Sequence, residues 1–477
     1  MSRTVTVLLT YEDQEYGAIG PFPVDSPWWA DVEPVVAHVS AVVGVPVVVL
    51  RLVDVVGGTP PRDGHVLYHA EALDRPQLRL GRVANGAFLG DGVRVGAGSG
   101  VGGTGRGARA SFDELAVPEP RRASYATAGG VRAALAWADE TAERAGYRRI
   151  GPPEQIKTWN LSAVFRLPVA GGEPLWLKLT RDFAAHEPAV TALVSQVDAS
   201  LVPVVVGSDP AARRVLYAHI PGEDCWDASP ELLALTVDRW STAQAKLATA
   251  QIPILTTDPL RTPSRAPQLA GAAARPLLTN APGPALLPGL VPDRRPDKLA
   301  ADLAALLEGA VDAQLSAPER EAAQALAAQL PTFVSALTAC GLPETLVHGD
   351  FHPGNWRAGP TSASEPVLLD FADAYIGHPA FDGVRLRDFL APPRRAAVTD
   401  AWCEAWAARV PDSDPARALA LATPLQHIAG TVLYAMFLDN IETSERRYHE
   451  DDPAAEIRAA IVGWYGLDRA VWTTDKR

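Results

Sequence analysis

Leu346-Val347-His348-Gly349-Asp350-Phe351-His352-Pro353-Gly354-Asn355-Trp356 holds the densest chemistry in the chain, and Val367-Leu368-Leu369-Asp370-Phe371 answers it a short way downstream. Each half reads as a strand end feeding a polar turn. Leu346 and Val347 are a short apolar entry, and Pro353-Gly354 breaks any helix before Asn355. Val367-Leu368-Leu369 is a buried-strand run that delivers Asp370 at its tip. Asp350, Asn355 and Asp370 are the residue types that phosphoryl transfer requires. A carboxylate must orient the attacking hydroxyl and accept its proton, while an amide oxygen and a second carboxylate hold Mg2+ on the nucleotide phosphates. Oxygen ligands suit a hard cation, whose shell is completed by phosphates.

The order of three linked blocks, His348-Gly349-Asp350-x-His352-x-x-Asn355, then Leu368-Leu369-Asp370-Phe371, then Gly377-His378-Pro379-x-x-Asp382, resembles the signature of the aminoglycoside phosphotransferase and choline kinase-like enzymes, small-molecule relatives of protein kinases. The resemblance implies Asp350 as catalytic base and Asn355 and Asp370 as Mg2+ ligands, with ATP, or alternatively GTP, as co-substrate. It implies supporting roles for His348, which holds the loop backbone rather than ionising, for His352, and for Asp382, which anchors structure beside a helix start.

Composition bounds the rest. A chain of 477 residues exceeds one ordinary domain. With 47% hydrophobic residues it can bury a sizeable core, and a net charge of -13 argues against nucleic acid or an anionic membrane as partner. Cys225, Cys340 and Cys403 are far apart and in no metal-binding spacing, which fits a reduced cytosol. Met1-Ser2-Arg3-Thr4 runs into a strand-like segment with no signal peptide pattern, and no apolar run approaches ~18 residues, so a cytoplasmic, soluble protein is expected.

From the start of the chain, residues 4–10 read as a strand, and Asp31 is expected to cap a helix whose apolar face uses Val35, Val36, Val39, Val42 and Val43. Val47–Val53 and His65–Ala70 read as two further strands. Residues 1–88 are thus expected to form a small α+β module without chemistry of its own, with the Trp28-Trp29 pair in its core or against a neighbour. Residues 89–120 read as a glycine-rich linker. Within it Gly98-x-Gly100-x-x-Gly103 matches a dinucleotide fingerprint, but no apolar strand leads in and no helix follows directly.

An N-lobe is expected over 121–225: a helix through Val131, Leu135 and Ala138, then strands at Gln155–Asn160, Ser162–Leu167 and Leu175–Leu179. Lys178 lies inside an apolar strand, where an ammonium needs an anionic partner, and nucleotide phosphates and Glu187 on the next helix are the candidates. Trp159-Asn160-Leu161-Ser162 stands where a kinase has its glycine-rich loop but contains no glycine, leaving Ser162 to touch phosphate. Arg214–Gly222 reads as a strand ending in a turn, and the resemblance implies an inter-lobe hinge there, with Ala218 and Ile220 offering backbone groups to the adenine ring. Ser229-Pro230 opens a helix, a proline-rich excursion occupies about 256–297, and helical alternation returns at Asp297–Leu307 and Glu319–Leu337 within a helical C-lobe, 226–477.

The expected fold is therefore α+β: a two-lobed protein kinase-like fold behind a small α+β module. The expected function is phosphorylation of a hydroxyl on a small molecule such as an aminoglycoside, sugar or amino alcohol. The alternatives are a nucleotide-binding scaffold without catalysis, against which Lys178, Asp350, Asn355 and Asp370 speak, and a protein kinase, disfavoured because this chain shows no Asp-Phe-Gly to Ala-Pro-Glu segment between Asp370 and the next helix.

Overall fold

A computed structural model describes residues 3–12, 14–76, 115, 117–249, 254–257, 287–309, 311–359 and 365–467, with backbone alone at 254–257 and 287–290. The Gly98-x-Gly100-x-x-Gly103 match, most of the glycine-rich linker and most of the proline-rich excursion lie outside these residues. The chain divides into two units: residues 1–182, 206–219 and 440–450 form the first, and 183–205, 220–439 and 451–477 the second.

The first unit holds two sheets. β1 (Arg3–Tyr11), β2 (Gln14–Val24), β3 (Val47–Val56) and β4 (His65–Ala72) form a sheet in the order β2-β1-β4-β3, parallel only at β1 and β4. Helix α1 (Glu33–Val43) buries Val35, Val39 and Val43 at helical spacing. It starts one residue later than expected, with Val32 at the cap, and the Asp31 carboxylate accepts instead from the Ser26 hydroxyl at 2.7 Å. Helix α2 (Gly130–Arg144) precedes a five-stranded sheet of β5 (Glu154–Thr158), β6 (Ser162–Leu167), β7 (Leu175–Thr180), β8 (Val205–Asp209) and β9 (Arg214–Tyr217), in the order β5-β6-β7-β9-β8.

The described residues of the expected 1–88 module form a small sheet with α1, and β3 of that sheet also packs into the core of the second sheet. β3 buries both faces: Val47, Val49 and Leu52 pack with α1 and β1, whereas Val48 and Leu50 enter the core built on α2, β6 and β7. A strand covered on both sides reads as an unbroken apolar run, which Val47-Val48-Val49-Leu50 is. Polar groups close the same seam. Val49 N–H donates to Gln155 Oε1 at 2.8 Å and Gln155 Nε2 donates to Val49 O at 2.7 Å, so one amide side chain replaces a missing strand partner. The buried Glu71 carboxylate accepts from Gly129 N–H at 2.9 Å, where the exposed amides of a helix N-terminus favour an anion. Arg51 Nη1 and Arg122 Nε each lie 3.0 Å from Glu442 Oε2, and Leu52 N–H donates to Glu445 Oε1 at 3.2 Å. Trp29 is core, 5.5 Å from the Tyr448 ring, while Trp28 lies exposed against Arg62.

The second unit is mostly helical: α3 (Glu187–Val197), α4 (Pro230–Thr249), α5 (Pro296–Leu307), α6 (Ala317–Thr338), α7 (Ala380–Phe389), α8 (Pro392–Arg409), α9 (Pro415–Asn440) and α10 (Asp452–Tyr465). α6 begins before Glu319 because Ser316 and Glu319 form a capping box. Short strands lie in the midst of these helices: β10 (Thr345–Val347), β11 (Trp356–Ala358), β12 (Val367–Leu368) and β13 (Tyr375–Gly377). Among the described residues α9 is the one helix long and apolar enough to cross a membrane, where the sequence reading expected none, and 78% of its apolar window is buried inside the unit.

Candidate active site

Strand pairing brings the two polar turns together. β10 pairs antiparallel with β13 and β11 with β12, so the turn 348–355 and the turn 369–374 stand side by side. They are stitched by Leu369 N–H donating to Asn355 O at 2.8 Å and by a 2.9 Å bond between His348 Nε2 and Leu369 O. Gly349 has φ of +85°, and a Cβ there would fall 2.2 Å from the Asp373 carbonyl oxygen, so this approach of the turns requires glycine. Asp370 holds φ of +63° at the entry to the second turn, a strained conformation that Asp tolerates better than most residues.

Asp382, in the first turn of α7, supports the arrangement from below. Its Oδ2 accepts from His348 N–H at 2.9 Å, Trp240 Nε1 at 2.8 Å and Gln244 Nε2 at 3.0 Å, and its Oδ1 from Gly349 N–H at 3.1 Å. Burial pushes this carboxyl up to about 6, against the pull of those four donors. His348 is fully buried, and burial pushes its imidazole down to about 4. Kept neutral, it uses both nitrogens on the backbone, accepting from Asp350 N–H at Nδ1 and donating from Nε2 to Leu369 O.

Asp350 has both of its carboxylate oxygens engaged. Its Oδ1 accepts from Arg385 Nη2 at 2.8 Å and Nε at 3.1 Å, and its Oδ2 from Asn355 Nδ2 at 2.9 Å and His352 Nε2 at 3.1 Å. Gly354 N–H donates to His352 Nδ1 at 3.1 Å, which leaves Nε2 as the protonated nitrogen. Burial alone would raise the Asp350 carboxyl, but the Arg385 guanidinium and His352 overcome it and hold Asp350 well below the usual carboxylate range. Asn355 spends its amide nitrogen on Asp350 O and Oδ2, so its Oδ1 is the atom left to accept. Asp373 goes the other way: burial first, then the charges of Asp350 and Asp370, push its carboxyl up to about 7.

The structure thus brings His348, Asp350, His352, Asn355, Asp370 and Asp382 together in the second unit, and Glu187 opens α3 of the same unit in a buried position. Lys178 is buried on β7, the middle strand of five, with Val164 and Val215 opposite it. Ser162 opens β6 and accepts from Trp159 Nε1 at 3.0 Å. Ala218 follows β9 in the first unit, and Ile220 begins a segment of the second. Sequence reasoning missed Arg385 and Asp373. A signal existed for both: Arg385 follows Asp382 by three residues, the spacing of one helix face, and Asp373 ends the turn that Asp370 begins.

Residues 155–420 match the sequence profile of the phosphotransferase enzyme family. No curated protein sequence matches the chain. Solved structures similar to it include macrolide 2'-phosphotransferase MphH from Brachybacterium faecium, at 20% identity, covering 67% of this chain and 97% of that one with a TM-score of 0.41. Choline kinase LicA from Streptococcus pneumoniae is similar at 11% identity over 70% of this chain and 100% of that one, with a TM-score of 0.45. The GDP and kanamycin complex of APH(2")-IIia stands at 14% identity over 70% and 100%, also with a TM-score of 0.45. Likenesses this distant say nothing of what this chain binds. The profile match alone spans more than half of the chain and includes both polar turns and Asp382, and the chain belongs to the phosphotransferase enzyme family.

Proposed function

We propose that the protein transfers the terminal phosphoryl group of ATP, or GTP, to a hydroxyl of a small molecule in the cytoplasm, with Mg2+. The observation that carries this reading is the Asp350 carboxylate, held ionised on a turn that abuts a second carboxylate-bearing turn. Phosphoryl transfer has a loose transition state, so the nucleophile needs orientation and a charge partner more than early proton abstraction. Asp350, held ionised by the Arg385 guanidinium and His352, would orient the acceptor hydroxyl and accept its proton late in the transfer.

The acidic surroundings fit a hard divalent cation. Asp373 is pushed up to about 7 by burial first and then by the neighbouring charges of Asp350 and Asp370, and Asn355 has its Oδ1 left over. Asn355 and Asp370 would hold the ion, which when bound neutralises phosphate charge. Lys178 and Ser162 are assigned to the nucleotide phosphates, Glu187 to balancing the charge of the Lys178 ammonium, and the backbone at Ala218 and Ile220 to the base. His348, His352 and Asp382 keep the turns in place.

The test is a panel of sugars, amino alcohols, aminoglycosides and macrolides offered with Mg2+ and ATP or GTP, read by 31P NMR. Acceptor-dependent formation of a phosphate monoester is the expected result. Nucleotide binding without consumption across the panel, water included, would instead establish a scaffold.

A further inference from the structure

Four flat groups are stacked beside Asp350. The Trp226 ring lies 5.2 Å from His352 at an interplanar angle of 19°, and His352 lies 4.5 Å from Phe389 at 22°. The Arg385 guanidinium carbon stands 4.5 Å from the Phe389 ring centroid. The two polar members of this stack, His352 and Arg385, which lie on either side of Phe389, are the donors that grip opposite oxygens of the Asp350 carboxylate. Phe389 therefore touches both clamps at once, and it does so while 40% exposed, which is too open for a residue whose work is to fill the core.

We propose that Phe389 and Arg385, one helical turn apart on α7, are positioning residues that set the rotation of the Asp350 carboxylate, with Phe389 acting through His352 and Arg385. The torsion that turns a carboxylate is broad and weakly stepped, so nothing intrinsic to Asp350 aims its lone pairs. An arginine side chain likewise carries large rotamer freedom, which a fixed bidentate contact must suppress. An aromatic face against the guanidinium, with the imidazole stacked on the same ring, supplies that restraint without adding a charge. The backbone that carries the Trp226 ring is also tied down, because Arg394 Nη1 donates to the Trp226 carbonyl oxygen at 2.6 Å. With Oδ1 on Arg385 and Oδ2 on His352 and Asn355, the direction from which a hydroxyl can approach Asp350 is decided by this stack. The inference rests on the proposed phosphotransferase reading.

The experiment compares the full chain with its Phe389→Leu, Phe389→Tyr and Arg385→Lys variants, each checked for folding by circular dichroism. Turnover of Mg-ATP is followed with water as acceptor and with any hydroxyl acceptor found. Phe389→Leu, which keeps apolar volume but no flat face, should lower kcat by roughly ten- to a hundredfold with KM for ATP within about twofold. Phe389→Tyr should restore turnover, and Arg385→Lys, which cannot make the bidentate contact, should lose it as Leu does. Wild-type kcat in Phe389→Leu, or a loss seen only in KM, overturns the inference. If the wild type turns over no ATP at all, the functional reading falls, and 15N NMR of the Arg385 Nε–H and guanidinium groups then decides the positioning claim by itself. Hindered guanidinium rotation in the wild type that is released in Phe389→Leu supports it, and equal mobility in both overturns it. If Phe389→Leu does not fold, Phe389→Met takes its place in both measurements.

Discussion

Asp350 and Asp382 are both buried carboxylates, and their surroundings assign them different work. Asp350 faces a cation and is held ionised, whereas Asp382 faces four N–H donors and no cation. Asp350→Ala should reduce turnover by roughly 10²- to 10⁴-fold, the worth of a positioned base, with Mg-nucleotide affinity by calorimetry essentially retained. Asp382→Ala should instead cost about 3–5 kcal/mol of stability in urea unfolding, because four buried donors lose their acceptor together. Equal stability of the Asp382→Ala variant and the wild type would remove it as the anchor of the turns. A third outcome concerns His378, which is fully buried and pushed down to about 3 by that burial alone. Its folded value lies below its unfolded value, so the stability it confers is complete above about 6.5 and is lost as pH falls toward 3. Stability should decline by about 1.4 kcal/mol per pH unit below 6.5 through this one group. A His378→Asn variant should show a correspondingly shallower slope between pH 6.5 and 4.5 in thermal melts at matched ionic strength.

Among the elements, the paired turns show how much a short sequence can specify. Apolar dipeptides and turn-forming residues mark β10, β12 and the polar turns between them, and β6 spans the expected Ser162–Leu167. Gly349 carries the register of the whole arrangement. Gly349→Ala should therefore destabilise the chain by more than ~1 kcal/mol and impair turnover, since the new methyl meets backbone rather than a side chain that can move aside. Urea midpoints and kcat measured on the same preparation would show both effects, and an unperturbed midpoint would mean the turns can separate. What the sequence concealed was of another kind. β2 went unread because its alternation is interrupted by Gly17, Gly20, Pro21 and Pro23, and β8 because Val205–Asp209 ends in Gly207-Ser208-Asp209, which resembles a loop. The spacing of Arg385 from Asp382 and of Asp373 from Asp370 is visible in the sequence, but the pairing it serves is not, since Arg385 meets Asp350 across 35 positions and no local pattern announces that contact.

At the scale of the molecule, the first unit is assembled from three separated stretches, and the N-terminal sheet is part of its core. A chain beginning at Arg122 loses Val48, Leu50, the Glu71 carboxylate under α2 and the strand that Gln155 completes. It should be insoluble or molten, with dispersed amide signals lost and ATP turnover abolished. A folded, active Arg122 start would show that the seam along β3 is dispensable. The pairing of Arg51 with Glu442 spans 391 positions, and it has a biosynthetic consequence. At about 5–20 residues per second, the ribosome releases Arg51 roughly 20–80 seconds before its carboxylate partner exists. Throughout that interval the buried Arg51 guanidinium lacks the carboxylate it bonds in the folded unit, so the N-terminal sheet reaches its final polar arrangement only when the last tenth of the chain emerges.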